Sequence, residues 1–230
     1  RLRPNMLIGI LQTGYAPDTL RDQGDYPDMF ERLLDGHGFT FRTWRVVDNE
    51  FPASPSEADG WLITGSKHGV YEDHAFIAPL EQFIRRAFAD RVPVAGICFG
   101  HQIMAQALGG KVEKYAAGWS VGPTEYDFGN ERLVLNAWHQ DQVVTPPPGA
   151  QVIATTPFCA YAGLAYDDRG ISVQPHPEFE NRFIAGLIDS RGRGVVPDVL
   201  LDDAKSRLDH TLDSDRIAAR IAAFFKSHHK

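Results

Sequence analysis

Cys98 stands in Gly96-Ile97-Cys98-Phe99-Gly100-His101-Gln102, with one glycine two residues before it and another two residues after. The apolar run Val92-Pro93-Val94-Ala95-Gly96-Ile97 leads into it, and Ile103, Met104, Ala107 and Leu108 follow at helical spacing. A buried strand that turns abruptly into a helix lifts its corner residue above the sheet edge. The glycines fit because side chains on both sides of so tight a corner would collide. This is the G-x-nucleophile-x-G elbow with cysteine in the nucleophile's place. A helix N-terminus at that corner favours the thiolate through its dipole and its free N–H groups. Taken alone, the cysteine reads equally well as a buried core thiol beside two packing glycines. The flanking strand and helix tip the reading toward a nucleophile.

A thiolate nucleophile needs a proton partner. Among nine histidines, His176 in Gln174-Pro175-His176-Pro177-Glu178 is the best placed, because it follows a strand, Gly170–Val173, that can lie beside the elbow. The two prolines fix φ on either side of it. Glu178 lies two residues on, where an extended backbone returns it to the same face. It can accept the second ring N–H and hold the useful tautomer. Without the elbow this would read as a stiff loop with a solvated His-Glu pair. Cys159, in Thr156-Pro157-Phe158-Cys159-Ala160-Tyr161, has no elbow and reads as a core thiol. His68 and His74 flank Thr64-Gly65-Ser66-Lys67 and read as ordinary loop histidines, with lining of a site mouth as the alternative. His101 reads as a packing or hydrogen-bonding residue, and His228-His229 are set aside. No Cys/His cluster has zinc spacing, no GxGxxG follows the first strand and no P-loop occurs, so no metal and no cofactor is expected.

These groups need a scaffold that holds strand ends side by side. Met6-Leu7-Ile8-Gly9-Ile10-Leu11 is a continuous apolar run of the kind buried on both faces of a parallel sheet. Phe30, Leu33 and Leu34 follow at helical spacing, with Gly36 or Gly38 as the stop. Phe39 to Val47 and Trp61-Leu62-Ile63-Thr64 read as the second and third strands. Asp73 is expected to cap a helix with the apolar face Phe76, Ile77, Leu80, Phe83 and Ile84. Alternating strands and helices with short connections imply right-handed βαβ units. From about residue 111 to 174 the pattern is strand after strand, including 131–138 and 151–155, which is expected to extend the sheet with antiparallel strands. Beyond Phe179 the chain is helical, with Pro197-Asp198 opening one helix and Ser214 capping a last one along Ile217, Ile221, Phe224 and Phe225. The fold class is therefore α/β: a central, mostly parallel sheet with helices on both faces, antiparallel extensions and C-terminal helices. One domain spanning 1–230 is expected, with its core over about 6–190 and a helical appendage over about 191–230.

Gly-Ile-Cys-Phe-Gly-His-Gln at 96–102, then Leu108-Gly109-Gly110, and later His176-Pro177-Glu178 resemble the class I glutamine amidotransferase family. The likeness is greatest to GMP synthase glutaminase domains and to stand-alone γ-glutamyl peptidases, over roughly Met6 to Glu178. It implies a flavodoxin-like sheet and a Cys98-His176-Glu178 triad acting on a γ-carboxamide through a γ-glutamyl thioester, with release of ammonia. Thr64-Gly65-Ser66-Lys67 stands where the family carries a Gly-Gly-Pro oxyanion loop. Backbone donors at Gly65 and Ser66, with Phe99, still fit that role. Gln102 resembles a glutamine that contacts the substrate's amino-acid end. Trp138-His139-Gln140-Asp141 resembles a Ser-His-Gly-Asp segment lining the glutamine pocket. Gln140 in place of glycine is expected to narrow or reshape that pocket, away from strict glutamine specificity, and Asp141 to meet an α-ammonium.

Composition bounds the partners. With 230 residues, 43% hydrophobic and 23% charged, the chain has ordinary globular proportions. A net charge of −7 leaves no basic footprint for nucleic acid. Two cysteines make no disulfide framework, and no apolar run reaches the roughly 18 residues of a membrane span. Gln12-Thr13-Gly14 interrupts the only N-terminal apolar stretch, so no signal peptide is expected and the cytoplasm is the default. The expected partner is a small-molecule substrate, glutamine or a γ-glutamyl compound. A glutaminase would hand its ammonia to a separate synthase subunit, since no ATP-binding loop is present. A γ-glutamyl peptidase would need no such partner. The remaining alternative is an inactive binding module, against which Cys98, His176 and Glu178 all speak.

Overall fold

The computed structural model describes residues 5–228. Its centre is a seven-stranded sheet built on the apolar runs seen in the sequence. Strands β1 (Met6–Leu11), β2 (Phe39–Trp44), β3 (Gly60–Ile63) and β4 (Val94–Ile97) are separated by helices α1 (Tyr26–Leu33) and α2 (Ile77–Ala89). Helix α3 (Phe99–Ala107) leaves β4 directly, and the sheet is completed by β9 (Gln151–Ala154), β10 (Gly163–Tyr166) and β11 (Gly170–Val173). The strand order is β2-β1-β3-β4-β11-β10-β9. The first five are mutually parallel, and β10 and β9 are antiparallel additions at one edge. This is a flavodoxin-like sheet: the chain leaves β1 for the edge at β2, then returns to the other side of β1. The crevice at that reversal, beyond the carboxyl ends of β1 and β3, is where open α/β sheets place their ligands.

Both faces are covered because successive strand residues point to opposite sides. Leu11, Trp61, Ile63 and Val94 enter the core shared with α2 and α3. Ile8, Ile10, Leu62, Ala95 and Ile97 enter the opposite core. That second core is closed by α6 (Ser214–Lys226), whose Ile217, Ile221 and Phe225 are at most 1% exposed. Burying each of these is worth roughly 1.5–3 kcal/mol. The last helix is thus a layer of the main core, where the sequence suggests an appendage. A third cluster joins Tyr26 and Met29 to α4 (Asn181–Leu187) and α5 (Asp198–Ser206).

The strand-rich middle departs from expectation. Only β9 and β10 extend the sheet. The rest form two separate antiparallel ribbons: β5 (Lys111–Lys114) with β8 (Asp141–Thr145), and β6 (Ser120–Asp127) with β7 (Arg132–His139). Two helix starts also differ. The helix after Asp73 begins only at Ile77, whose N–H meets the His74 carbonyl at 3.1 Å, and no side chain caps it. Asp213, not Ser214, is the N-cap of α6, and its carboxylate is engaged elsewhere. It accepts the Val134 N–H at 2.7 Å while its own N–H reaches Val134 O at 2.8 Å, tying α6 to β7. No helix among the described residues is long and apolar enough to cross a membrane.

Candidate active site

Four strand ends converge beyond the carboxyl edge of the sheet: Thr13 after β1, Gly65 after β3, Cys98 after β4, and Gln174 to Glu178 after β11. Cys98 occupies φ 53°, ψ −103°, a region that side chains rarely adopt. Such a conformation costs on the order of 1–3 kcal/mol and persists only where the surroundings impose it. Here they do. A Cβ on Gly96 would stand 2.5 Å from Gly100 O, and one on Gly100 would stand 2.4 Å from Ile63 O. The corner is therefore packed backbone to backbone, and both glycines are steric requirements. The first α-helical bond of α3 runs from Gln102 N–H to Cys98 O at 3.0 Å. The N–H groups of Phe99, Gly100 and His101 thus have no partner within the helix.

The sheet register brings the second motif alongside. Val173 pairs with Ile97, so Gln174 comes level with Cys98. The Gln174 side-chain amide donates to Cys98 Sγ at 3.5 Å, and the sulfur lies 3.9 Å from Trp138 O. His176 Nδ1 donates to Glu178 Oε2 at 2.9 Å, with both side chains at most 4% exposed. That fixes the tautomer with the proton on Nδ1, and the Cys98 sulfur lies close enough to act on the charge of the ring. Burial alone would push the His176 pKa down. The neighbouring sulfur and the Glu178 carboxylate outweigh it and raise the ring well above its ordinary value. The ring is held by two contacts absent from the sequence reading. Phe179 stacks on it with centroids 4.0 Å apart and planes 4° from parallel, and the His176 backbone N–H donates to Asn136 O at 2.8 Å. Glu178 Oε1 is buried with no partner among the described residues.

Gly65 lies against both groups: a Cβ there would meet His176 Cε1 at 2.9 Å and Cys98 Cβ at 3.9 Å. Its carbonyl is held by the hydroxyls of Thr13 at 2.9 Å and Thr64 at 3.1 Å. In a planar trans peptide the Ser66 N–H then points the opposite way. A threonine pair thus fixes the peptide that follows β3, and Thr13 carried no signal of this in its own surroundings.

The other expected residues fall into two groups. Gln102 is buried, and its amide nitrogen is committed to Asp141 O at 2.9 Å and Gln174 Oε1 at 3.1 Å, so it braces the cysteine's neighbour. His139 is buried too. Its Nδ1 donates to Asp141 O at 3.1 Å, and its Nε2 has no partner among the described residues. Burial first, against that hydrogen bond, lowers its pKa to about 3. Asp141 accepts the Tyr71 hydroxyl at 2.8 Å, and burial raises its carboxyl pKa. Gln140 turns away to Tyr115 O at 3.4 Å. His101 is wholly buried between Ser172 Oγ at 2.6 Å and Tyr161 O at 2.9 Å, as a packing residue should be, and burial lowers its pKa to about 4. The sequence spacing also hid one cluster: His68, Glu72 and His74 bring three ligating groups together on the loop after β3.

A family model described as glutamine amidotransferase class-I matches residues 30–183. The chain belongs to the class I glutamine amidotransferase family. Among curated proteins, this chain is 32% identical to gamma-glutamyl peptidase 4 of Arabidopsis thaliana over 72% of each chain. It is 33% identical to the glutamine-hydrolyzing GMP synthase of Cupriavidus pinatubonensis over 73% of its own length, but over only 32% of that protein. Among solved structures, a glutamine amidotransferase from Methylobacillus flagellatus superposes with a TM-score of 0.75 at 22% identity, covering 100% of this chain and 96% of that one. A second, from Thermotoga maritima, gives a TM-score of 0.72 at 20% identity over 99% of both chains. At those identities the structural likeness establishes the amidotransferase fold.

Proposed function

We propose that this chain is a cysteine-dependent amidase that opens γ-glutamyl amides through a γ-glutamyl thioester on Cys98. The observation that carries the reading is the strained Cys98 corner set against the buried His176–Glu178 pair. His176 takes the thiol proton, and Glu178 and the helix terminus stabilise the resulting ion pair. The thiolate attacks the amide carbon, and the N–H groups of Ser66 and Phe99, with the Gly65 peptide, receive the oxyanion. One such donor is typically worth about 10²–10³ in rate. His176 returns its proton to the departing nitrogen, then takes one from water as the water hydrolyses the thioester. Asp141, held by Tyr71, is the candidate anchor for the substrate's α-ammonium, with His139 and Gln140 on the same segment. Gln102 supports that segment and Gln174. Residues 1–230 act here as one unit.

Two leaving groups fit. If ammonia leaves, the chain is a glutaminase whose product goes to a separate synthase subunit. If an amino acid leaves, it is a γ-glutamyl peptidase. The second reading is favoured by the even coverage of the Arabidopsis peptidase, against one third of the GMP synthase. The purified chain and its Cys98→Ala variant are to be assayed against glutamine and against γ-glutamyl dipeptides. Turnover of either substrate that vanishes in the variant supports the amidase, and the preferred substrate selects the reading. Turnover that survives Cys98→Ala, or none on any γ-glutamyl compound, overturns it.

A further inference from the structure

The loop between β3 and α2 carries His68, Glu72 and His74, one ligating atom from each lying within 4.8 Å of the other two. His74 Nε2 and Glu72 Oε1 are 3.3 Å apart, and the two imidazole rings have centroids 4.1 Å apart at an angle of 48°. With metal–ligand bonds of about 2.0–2.2 Å, two ligands on one tetrahedral ion stand roughly 3.3–3.5 Å apart. The His74–Glu72 pair already has that spacing, and the His68 ring needs only a side-chain adjustment to join it.

The backbone around the cluster is fixed. Glu72 Oε1 accepts the Gly69 N–H, the Glu72 N–H returns to Gly69 O at 3.0 Å, and the His68 N–H donates to Ser66 Oγ at 3.1 Å. Buried Phe76 lies under both histidines with centroids 6.0 Å from each ring, giving the pair an apolar floor. The three side chains are half-buried or exposed, so an ion can enter from solvent.

We propose that His68, Glu72 and His74 bind one divalent transition-metal ion of the Zn²⁺ type. Two imidazoles and one carboxylate supply three ligands, and a fourth position stays open to water. Such a set suits zinc, cobalt, nickel or copper, whereas Mg²⁺ and Ca²⁺ favour all-oxygen cages. Bound there, the ion ties the segment that begins at Ser66 to the segment that carries Tyr71, and so braces the loop beside the Gly65–Ser66 peptide. The site shares no residue with Cys98, His176 and Glu178, so it stands whether or not the amidase reading does.

The test is Co²⁺ and Zn²⁺ titration of the full, untagged chain, as wild type and as Cys98→Ala. The variant removes the thiolate that could compete for metal. Visible spectra follow cobalt and calorimetry follows zinc. The expected result is one saturable ion per Cys98→Ala chain, with tetrahedral cobalt bands that Zn²⁺ displaces, and a melting temperature raised by Zn²⁺ but not by Mg²⁺. His74→Ala and Glu72→Gln, both on a loop surface, should keep the metal-free melting temperature. Removing a mere supporting contact to a ligand costs 10–100-fold in affinity, so each should lose at least about 100-fold. No saturable binding by Cys98→Ala, or binding that survives His74→Ala undiminished, overturns the proposal.

Discussion

Cys98 and Cys159 are equally buried, at 6% and 3% exposure, and lie in the same core cluster, yet their surroundings are opposite. Cys98 sits at a forced backbone corner, at a helix N-terminus, beside an imidazole that a carboxylate orients. Cys159 has none of these. Its N–H donates to Thr156 Oγ1 at 2.8 Å in an ordinary turn, and burial, then the nearby Cys98, raises its thiol to about 12. Burial therefore does not separate the two thiols; the charge partner and the helix terminus, which govern thiol reactivity, do. The histidines repeat the contrast. His176 meets a sulfur and a carboxylate and is raised, whereas His101 and His139 have no anionic partner and burial pushes them down.

The largest expected effect breaks the pair of cysteines apart. Cys98→Ala should reduce turnover of the best γ-glutamyl substrate by roughly 10⁴-fold or more, because the nucleophile and its base act as a unit. Cys159→Ala should leave kcat/KM within about threefold and cost about 1–2 kcal/mol of stability in urea unfolding, the loss of a small buried group. Equal losses in both variants would erase the distinction. Next comes Glu178→Gln, which keeps the shape but removes the orienting charge. A fall of about 10²–10⁴ in kcat is expected, with the thiol's alkylation rate at pH 7 falling alongside. Unchanged alkylation would remove Glu178 from the account.

Gly100→Ala tests the corner itself. Its new Cβ meets backbone, not a flexible side-chain end, so a loss of about 3 kcal/mol or more in unfolding free energy is expected. A variant of wild-type stability would mean that the corner is not sterically forced. The smallest effect concerns His101 and His139. Their folded pKa values, about 4 and about 3, lie below the unfolded value of about 6.5. The unfolded chain therefore binds more protons below that pH. Their contribution is complete above about pH 6.5 and shrinks as pH falls, by on the order of 2 kcal/mol per ring down to pH 5. His101→Gln should flatten that pH slope in urea titrations between pH 7 and 5. A slope unaffected by the substitution would assign it to other groups.

What the sequence made legible was local. The elbow could be read because glycine spacing, an apolar strand and a helical stripe all bear on one short segment. His176 and Glu178 could be paired because alternation along an extended chain places them on one face. Gln174, Thr13 and Phe179 were missed because their roles depend on register between strands far apart in sequence. The same reason explains the ribbons. The run of strand after strand from about 111 to 174 is visible in the sequence, but not which strand each will pair with. Asp141 was singled out by a resemblance, yet its tie to Gln102 and Tyr71 emerges only when β8 is folded beside α3. The apolar stripe of α6 was visible at once, but not that it would close a face of the main sheet.

The central claim is that Cys98, and not its equally buried counterpart, forms a γ-glutamyl thioester. Rapid quenching of the chain during turnover of a γ-glutamyl substrate, followed by peptide mapping by mass spectrometry, tests it most directly. The expected result is a γ-glutamyl adduct on the peptide carrying Cys98, present in Cys159→Ala and absent in Cys98→Ala. An adduct on any other residue, or full turnover by Cys98→Ala with no adduct at all, would contradict it.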